Sequence, residues 1–202
     1  MSSKSDTAKP DTANSDTEGA PKSSGARRGP GRSGARRTGG GSAKARRKAA
    51  RLAAVQALYQ IDLTGNNAES VLGEFIKHRI GQELDGETYV AADPKLFAEI
   101  VRGTSARRAD VDGMVSSGLD PQWPLERLEL LLRAILRAGA YELMSHHDIH
   151  PRIVINEYVD VCHAFFAGRE PGMVNAVLDR LARTLRPDDL AMPDPDRAAG
   201  NR

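Results

Sequence analysis

The stretch from Leu128 to Met144, LELLLRAILRAGAYELM, constrains this chain more than any other. It is long enough for about four turns of helix at 1.5 Å per residue. Its polar residues are Glu129, Arg133, Arg137, Tyr141 and Glu142, and the first four recur every fourth position in one narrow stripe. The rest of the circumference is Leu, Ile, Ala, Gly and Met. A helix apolar almost all round must be enclosed by other helices or by lipid. A lipid span needs roughly 20 apolar residues, and Arg133 and Arg137 interrupt this run. The expectation is therefore a central helix buried in an all-helical domain. Glu129 and Arg133 have the spacing of an i, i+4 ion pair. Gly139 costs about 1 kcal/mol relative to Ala inside a helix, which predicts that a neighbouring backbone comes close there.

Not all 202 residues can join such a domain. Residues 1–43 are mostly Ser, Thr, Gly, Ala, Pro, Lys and Arg, with Met1 the only large apolar side chain. They cannot bury enough surface to offset the entropy of ordering. Residues 187–202, PDDLAMPDPDRAAGNR, read the same way. The expected organisation is a disordered basic arm over 1–43, a folded domain over 44–186 and a disordered tail over 187–202.

The net charge of +2 conceals an asymmetry, because residues 1–51 carry +9 and the remainder −7. Between Gly19 and Ile61 there are eleven basic residues and no acid. A basic arm on an acidic body points to nucleic acid or another anionic surface as partner. Cys162 is the only cysteine, so no disulfide framework or cysteine-based zinc site forms within one chain. That usage suits the reducing cytoplasm. The Arg- and Ser-rich N-terminus has the flavour of a transit peptide, but Asp6, Asp11, Asp16 and Glu18 argue against one.

Apolar spacing predicts the helices in order. The first runs from about Ala45 to Leu63, with Leu52, Val55, Tyr59 and Leu63 as its buried face, and Thr64–Gly65–Asn66 stop it. Its opening turns carry Lys44, Arg46, Arg47, Lys48 and Arg51. Like charges at i, i+4 and cations near a helix N-terminus are both unfavourable. A sequence that tolerates both is suited to binding an anion. The second helix, through Val71, Leu72, Phe75, Ile76 and Ile80, ends by about Leu84. The third opens at Asp93–Pro94, an N-cap followed by proline at the first helical position. It buries Leu96, Phe97, Ile100, Val101, Thr104 and Val111. After the central helix, Pro151 starts another that continues to about Ala167, and Glu170–Pro171 starts the last, which Pro187 ends. No segment alternates with period two, so the fold class is all-α, a compact domain of six or seven helices.

Site chemistry is sparse. His146, His147, Asp148 and His150 cluster in a connection between helices without the further ligands a metal needs. Cys162 and His163 are adjacent on a helix and point to different sides, which does not suit a nucleophile pair. Glu142 reads as a buried carboxylate paired with an arginine. No cofactor or metal is expected.

Four segments, ARRKAARLAAVQALYQIDL (45–63), LLRAILRAGAYELM (131–144), IVINEYVDV (153–161) and MVNAVLDRLA (173–182), together resemble the NusB family of bacterial transcription antitermination factors. The resemblance spans about Ala45 to Leu185. It implies two three-helix bundles. It further implies a non-enzymatic protein that pairs with NusE, a small-subunit ribosomal protein, and binds the single-stranded boxA element of nascent ribosomal RNA. That assembly joins the RNA polymerase elongation complex with other Nus factors. Family members also self-associate, so a homodimer is a further expectation, and no membrane is involved. The family's Arg-rich motif falls on Arg46, Arg47, Lys48 and Arg51. Tyr59 matches a tyrosine on the face that meets NusE. Met173 stands where the family often has an aromatic beside the RNA, and Ala176 replaces the glycine of that motif. A NusB-like domain also occurs ahead of certain ribosomal RNA methyltransferases. Here too little chain follows the last helix for a methyl-donor fold, so an enzyme is not expected.

Overall fold

The computed structural model describes residues 41–80 and 91–192. These contain eight α-helices, one 3-10 turn and no strand. The helices are α1 (Ala43–Thr64), α2 (Ala68–His78), α3 (Pro94–Ala106), α4 (Arg108–Gly118), α5 (Leu130–Ser145), α6 (Pro151–His163), α7 (Glu170–Leu185) and α8 (Pro187–Ala191), with the 3-10 turn at Leu125–Arg127 before α5. None is long and apolar enough to cross a membrane.

The caps follow from the sequence. Ser42 Oγ accepts the Ala45 amide, Asn67 Oδ1 the Ser70 amide, and Asp93 Oδ1 the amides of Lys95 and Leu96. Each satisfies donors that a helix start leaves open. Gly65 ends α1 with φ of 72°, the left-handed conformation that favours glycine.

Helices α1, α2 and α3 pack mutually, as do α5, α6 and α7, and α4 joins the second group. Helix α5 links the two, touching α1 and α3 on one side and α4, α6 and α7 on the other. Every residue from Ala134 to Leu143 is buried, so α5 is the enclosed axis its apolar circumference predicted. The Phe75 and Phe97 rings stack with centroids 5.7 Å apart and fasten α2 to α3. Burying an aromatic of this kind is worth about 1.5–3 kcal/mol.

Several expectations need correcting. The buried face of α1 is Ala50, Arg51, Ala54, Val55, Ala57 and Leu58, whereas Leu52 and Tyr59 are half-buried and Leu63 is 59% exposed. Alanines turn inward because they let the axes of packed helices approach closely. Large residues at helical spacing were therefore a misleading guide. Gly139 makes room for side chains, not a backbone. A Cβ there would meet Leu178 Cδ1 at 2.8 Å and Tyr158 Cδ2 at 3.3 Å. Gly103 admits the Tyr141 ring in the same way, since a Cβ there would collide with it. Glu129 is the N-cap residue of α5 and forms no ion pair with Arg133 among the described residues. The helix opened by Asp93 breaks at Arg107, so Val111 belongs to α4. Helix α6 ends at His163, short of Ala167. Leu84 lies outside the described residues. Beyond 186 the chain forms α8, which packs on α6 and α7.

Candidate nucleic-acid interface

The basic residues at the start of α1 divide by helical phase. Lys44, Arg46, Arg47 and Lys48 are exposed, while Arg51 is only 3% exposed. Positions 47 and 51 share a face in sequence, but the chain dives between α5 and α6 within that turn.

Arg51 is bound on every side. Its Nε donates to both Glu142 oxygens at 3.2 and 3.0 Å, its second guanidinium nitrogen also reaches Glu142, and Nη1 donates to Glu157 at 3.3 Å. Tyr158 adds its hydroxyl to Glu142 at 2.9 Å. Burial by itself would lower the Arg51 pKa, but the bonds and charge of Glu142 outweigh it and raise it. Burial likewise holds the Tyr158 hydroxyl well above its ordinary range, with the Glu142 charge acting in the same direction. This is a desolvated ion pair with its remaining lone pairs satisfied, the condition under which such pairs persist. The assignment of Arg51 to the phosphate-binding set is corrected accordingly. Its guanidinium has no face toward solvent and serves to hold α1 on α5 and α6. Glu142 is the paired carboxylate the sequence suggested.

The other three residues of that set, Arg46, Arg47 and Lys48, keep their heads in water. Arg46 and Arg47 form no ion pair among the described residues. The Arg46 carbonyl accepts the Asp93 amide at 3.0 Å, which ties this turn to the start of α3. Lys48 Nζ bonds Asp160 at 2.7 Å, and both side chains are about half exposed. That bond is the main reason its pKa is raised. A surface pair of this type is worth only about 0.2–1 kcal/mol, so an arriving phosphate can compete for the lysine. Asp160, Glu157 and Tyr158 all sit in the segment IVINEYVDV, but nothing in its local pattern marks them as partners of α1.

Met173 is elsewhere. It is half-buried on α7, on the wall of a cleft of about 620 Å³ that also takes in Leu128, just before α5, and Leu132 in its first turn. Leu132 precedes Glu142 by ten positions, about 15 Å along the helix axis. The structure thus does not bring Met173 into one cluster with Arg46, Arg47 and Lys48. Tyr59 lies on α1 beyond Arg51, half-buried with its ring against the core.

The remaining motifs have structural explanations. His150 Nδ1 accepts the Arg152 amide and caps α6. The carbonyls of His146 and His147 accept from Arg186. His146 Nε2 lies 3.2 Å from Glu99 Oε1 but off the line a hydrogen bond needs. Cys162 is buried and its thiol is pushed up to about 11 by that burial, with Glu170 adding to it. A thiol so protonated is a poor nucleophile.

Comparison with known proteins agrees with this arrangement. Residues 48–183 match the family described as the NusB family. The chain is 49% identical over 145 residues to the transcription antitermination protein NusB of Bradyrhizobium sp. strain BTAi1, covering 72% of this chain and 86% of that protein. It superposes on T. maritima NusB with a TM-score of 0.59 and 26% identity, over 72% of this chain and 97% of the other. A crystal structure of the antitermination factors NusB and NusE in complex with dsRNA gives a TM-score of 0.58 at 23% identity, over 68% and 96%. With four ordered segments, an enclosed α5 and a matched profile over most of its folded part, the chain belongs to the NusB family.

Proposed function

We propose that this chain is a transcription antitermination factor that binds the boxA element of nascent ribosomal RNA together with NusE. In that role it helps RNA polymerase, with other Nus factors, to read through terminators. The observation that carries the reading is the exposed, cationic first turns of α1. Among the described residues, Arg46 and Arg47 have no protein counter-charge there and Lys48 has only a weak one. Buried Arg51 fixes the orientation of those turns. Support for the partner comes from the relatives, which are transcription antitermination proteins, and from the structural neighbour crystallised with NusE and RNA.

The division of labour is physical. Cations set affinity by neutralising phosphates, while contacts to splayed bases set sequence preference. A domain with few exposed aromatics reads RNA weakly alone, so a second protein that completes the surface is expected. Tyr59 is proposed as part of the NusE-facing side, since a half-buried tyrosine offers contact area with one polar tip. The protein acts in the cytoplasm by binding, not by catalysis.

Binding of the purified full chain to boxA and scrambled RNA, with and without NusE, tests the reading. Tighter boxA binding in the presence of NusE is expected. Equal affinity for both RNAs under both conditions overturns it.

A further inference from the structure

The bond from the Asp93 amide to the Arg46 carbonyl sets the start of α3 beside the basic turns of α1. A pocket of about 260 Å³ lies there, enclosed by Arg47, the first turns of α3 and the end of α5 with the turn after it. His146 lines this pocket and is only 8% exposed. It is held from several directions. Its amide donates to the Glu142 carbonyl at 2.9 Å, its carbonyl accepts from Arg186, and its ring makes a T-shaped contact with Tyr141. Nε2 nevertheless has no hydrogen-bond partner among the described residues. Buried side-chain nitrogens without one are uncommon and need an explanation. The Glu99 carboxylate is near but poorly aligned, and it is about half exposed. The pocket thus holds a fixed imidazole nitrogen beside an acceptor that is free to swing.

Charge sorts the occupants. Arg47 and Lys95 are exposed, and neither side chain has a hydrogen bond or ion pair among the described residues. Three carboxylates also line the pocket. Asp93 caps α3 and already takes the amides of Lys95 and Leu96, so those amides are closed to a phosphate. Glu99 and Asp148 repel an anion from the interior. Phosphates are therefore held outside, on Arg47 and Lys95. No Phe, Tyr or Trp lines the pocket, so a base finds no ring to stack on. A hydroxyl suits it better. It can donate to a carboxylate, and it can accept from or donate to an imidazole nitrogen, whichever the tautomer requires. Along a single strand of RNA, the ribose 2′-hydroxyl is such a group and lies between phosphates.

We infer that His146 and Glu99 form a ribose-reading site. One sugar of the bound strand enters this pocket, its 2′-hydroxyl bridges His146 Nε2 and the Glu99 carboxylate, and the neighbouring phosphates lie on Arg47 and Lys95. The inference rests on the RNA-binding reading above. It adds the means of telling RNA from DNA, which lacks that hydroxyl.

The test compares boxA RNA with strands carrying 2′-fluoro at one position at a time, bound to the full chain with NusE. Fluorine removes the hydroxyl proton and keeps the RNA-like pucker of the sugar. One position, or two adjacent ones, should weaken binding by roughly 3- to 10-fold, the worth of about one net hydrogen bond. Glu99→Ala should melt as the parent does, because Glu99 is half exposed and alanine is the better helix former. It also removes a negative charge near the strand, so the readout is the ratio of fluoro to ribo affinity and not the affinity itself. That ratio should fall to about one in the variant, the size expected once the hydrogen bond is gone. A ratio of equal size in the parent and in Glu99→Ala overturns the ribose site. So does the absence of any position-specific loss while boxA still binds, and either result leaves the RNA reading intact. If boxA does not bind the parent chain with NusE at all, both proposals fall together.

Discussion

The two ends of α1 are fastened by opposite means. Near its N-terminus the helix supplies a cation, Arg51, to carboxylates of α5 and α6. Near its C-terminus it supplies a carboxylate, Asp62, to Arg137 of α5 and Arg108 of α4. Both arginines also face Asp112, at 2.6 Å from Arg137 and 3.9 Å from Arg108, so the four charges alternate around a ring. Burial would depress the Arg137 pKa, but Asp112 and Asp62 raise it. With α1 antiparallel to α5, Arg51 meets Glu142 and Asp62 meets Arg137. Reversing α1 would set arginine against arginine and carboxylate against carboxylate. Buried charges are a weak source of net stability, and specifying one arrangement is the better attested use.

The two fasteners differ in redundancy. Glu142 is completely buried, and Arg51 is its only cation among the described residues. Asp62 keeps Arg108 if Arg137 is removed. Arg51→Ala is therefore expected to cost about 3–5 kcal/mol, the price of stranding a buried charge. Arg137→Ala should cost less, about 1–3 kcal/mol. Urea denaturation of the two variants measures both. Equal losses would show that redundancy at the Asp62 end has no energetic weight.

The same comparison separates structure from recognition. Arg46→Ala/Arg47→Ala/Lys48→Ala should leave the melt unchanged, because alanine is the better helix former. RNA affinity should fall, and the log–log salt slope should drop by up to about 0.7 for each phosphate that is no longer neutralised. Adding Arg51→Ala to a folded background should remove no further slope. A slope that falls again would return Arg51 to the RNA surface.

Tyr59 probes the middle of the helix, between the two fasteners. Tyr59→Asp should stay folded and lose NusE in a pull-down, with RNA binding reduced only when NusE is present. A lost melt before any partner is added would instead make Tyr59 a core residue, because burying a carboxylate costs roughly several kcal/mol.

What the sequence made legible follows the range of each interaction. Asp93–Pro94 and Gly65 act within a turn, and their roles could be read directly. Helix α5 could be read because nearly its whole circumference is apolar. Arg51 could not be told from Arg47, since its partners are 91 and 106 positions away along the chain. The inward face of α1 was hidden for a related reason. Alanine packs inward only where another helix comes close, and no local pattern records that approach. The break at Arg107 has no proline or glycine at that position to announce it. Tyr141 falls in the polar stripe by spacing, yet the space opened by Gly103 on α3 buries it. At the interface, the cluster of cations was visible, but not which of them remained available.

Availability also grades the cations that stay exposed, and this gives the smallest effect. Lys48 is held by Asp160 on α6, with both groups about half in water. If Lys48 contacts phosphate, Asp160 competes for it and adds a negative charge beside the RNA. Asp160→Asn removes the charge and keeps the shape. Stability should fall by no more than about 1 kcal/mol, as for an exposed pair. RNA affinity should rise slightly, and more at low salt, where repulsion between exposed charges is least screened. The gain should vanish in a Lys48→Ala background if it arises through the lysine, and persist if it reflects simple repulsion of the strand. A drop in affinity on Asp160→Asn would mean that the ion pair positions Lys48 for the phosphate, and that this end of α1 is preorganised on its surface as it is in its interior.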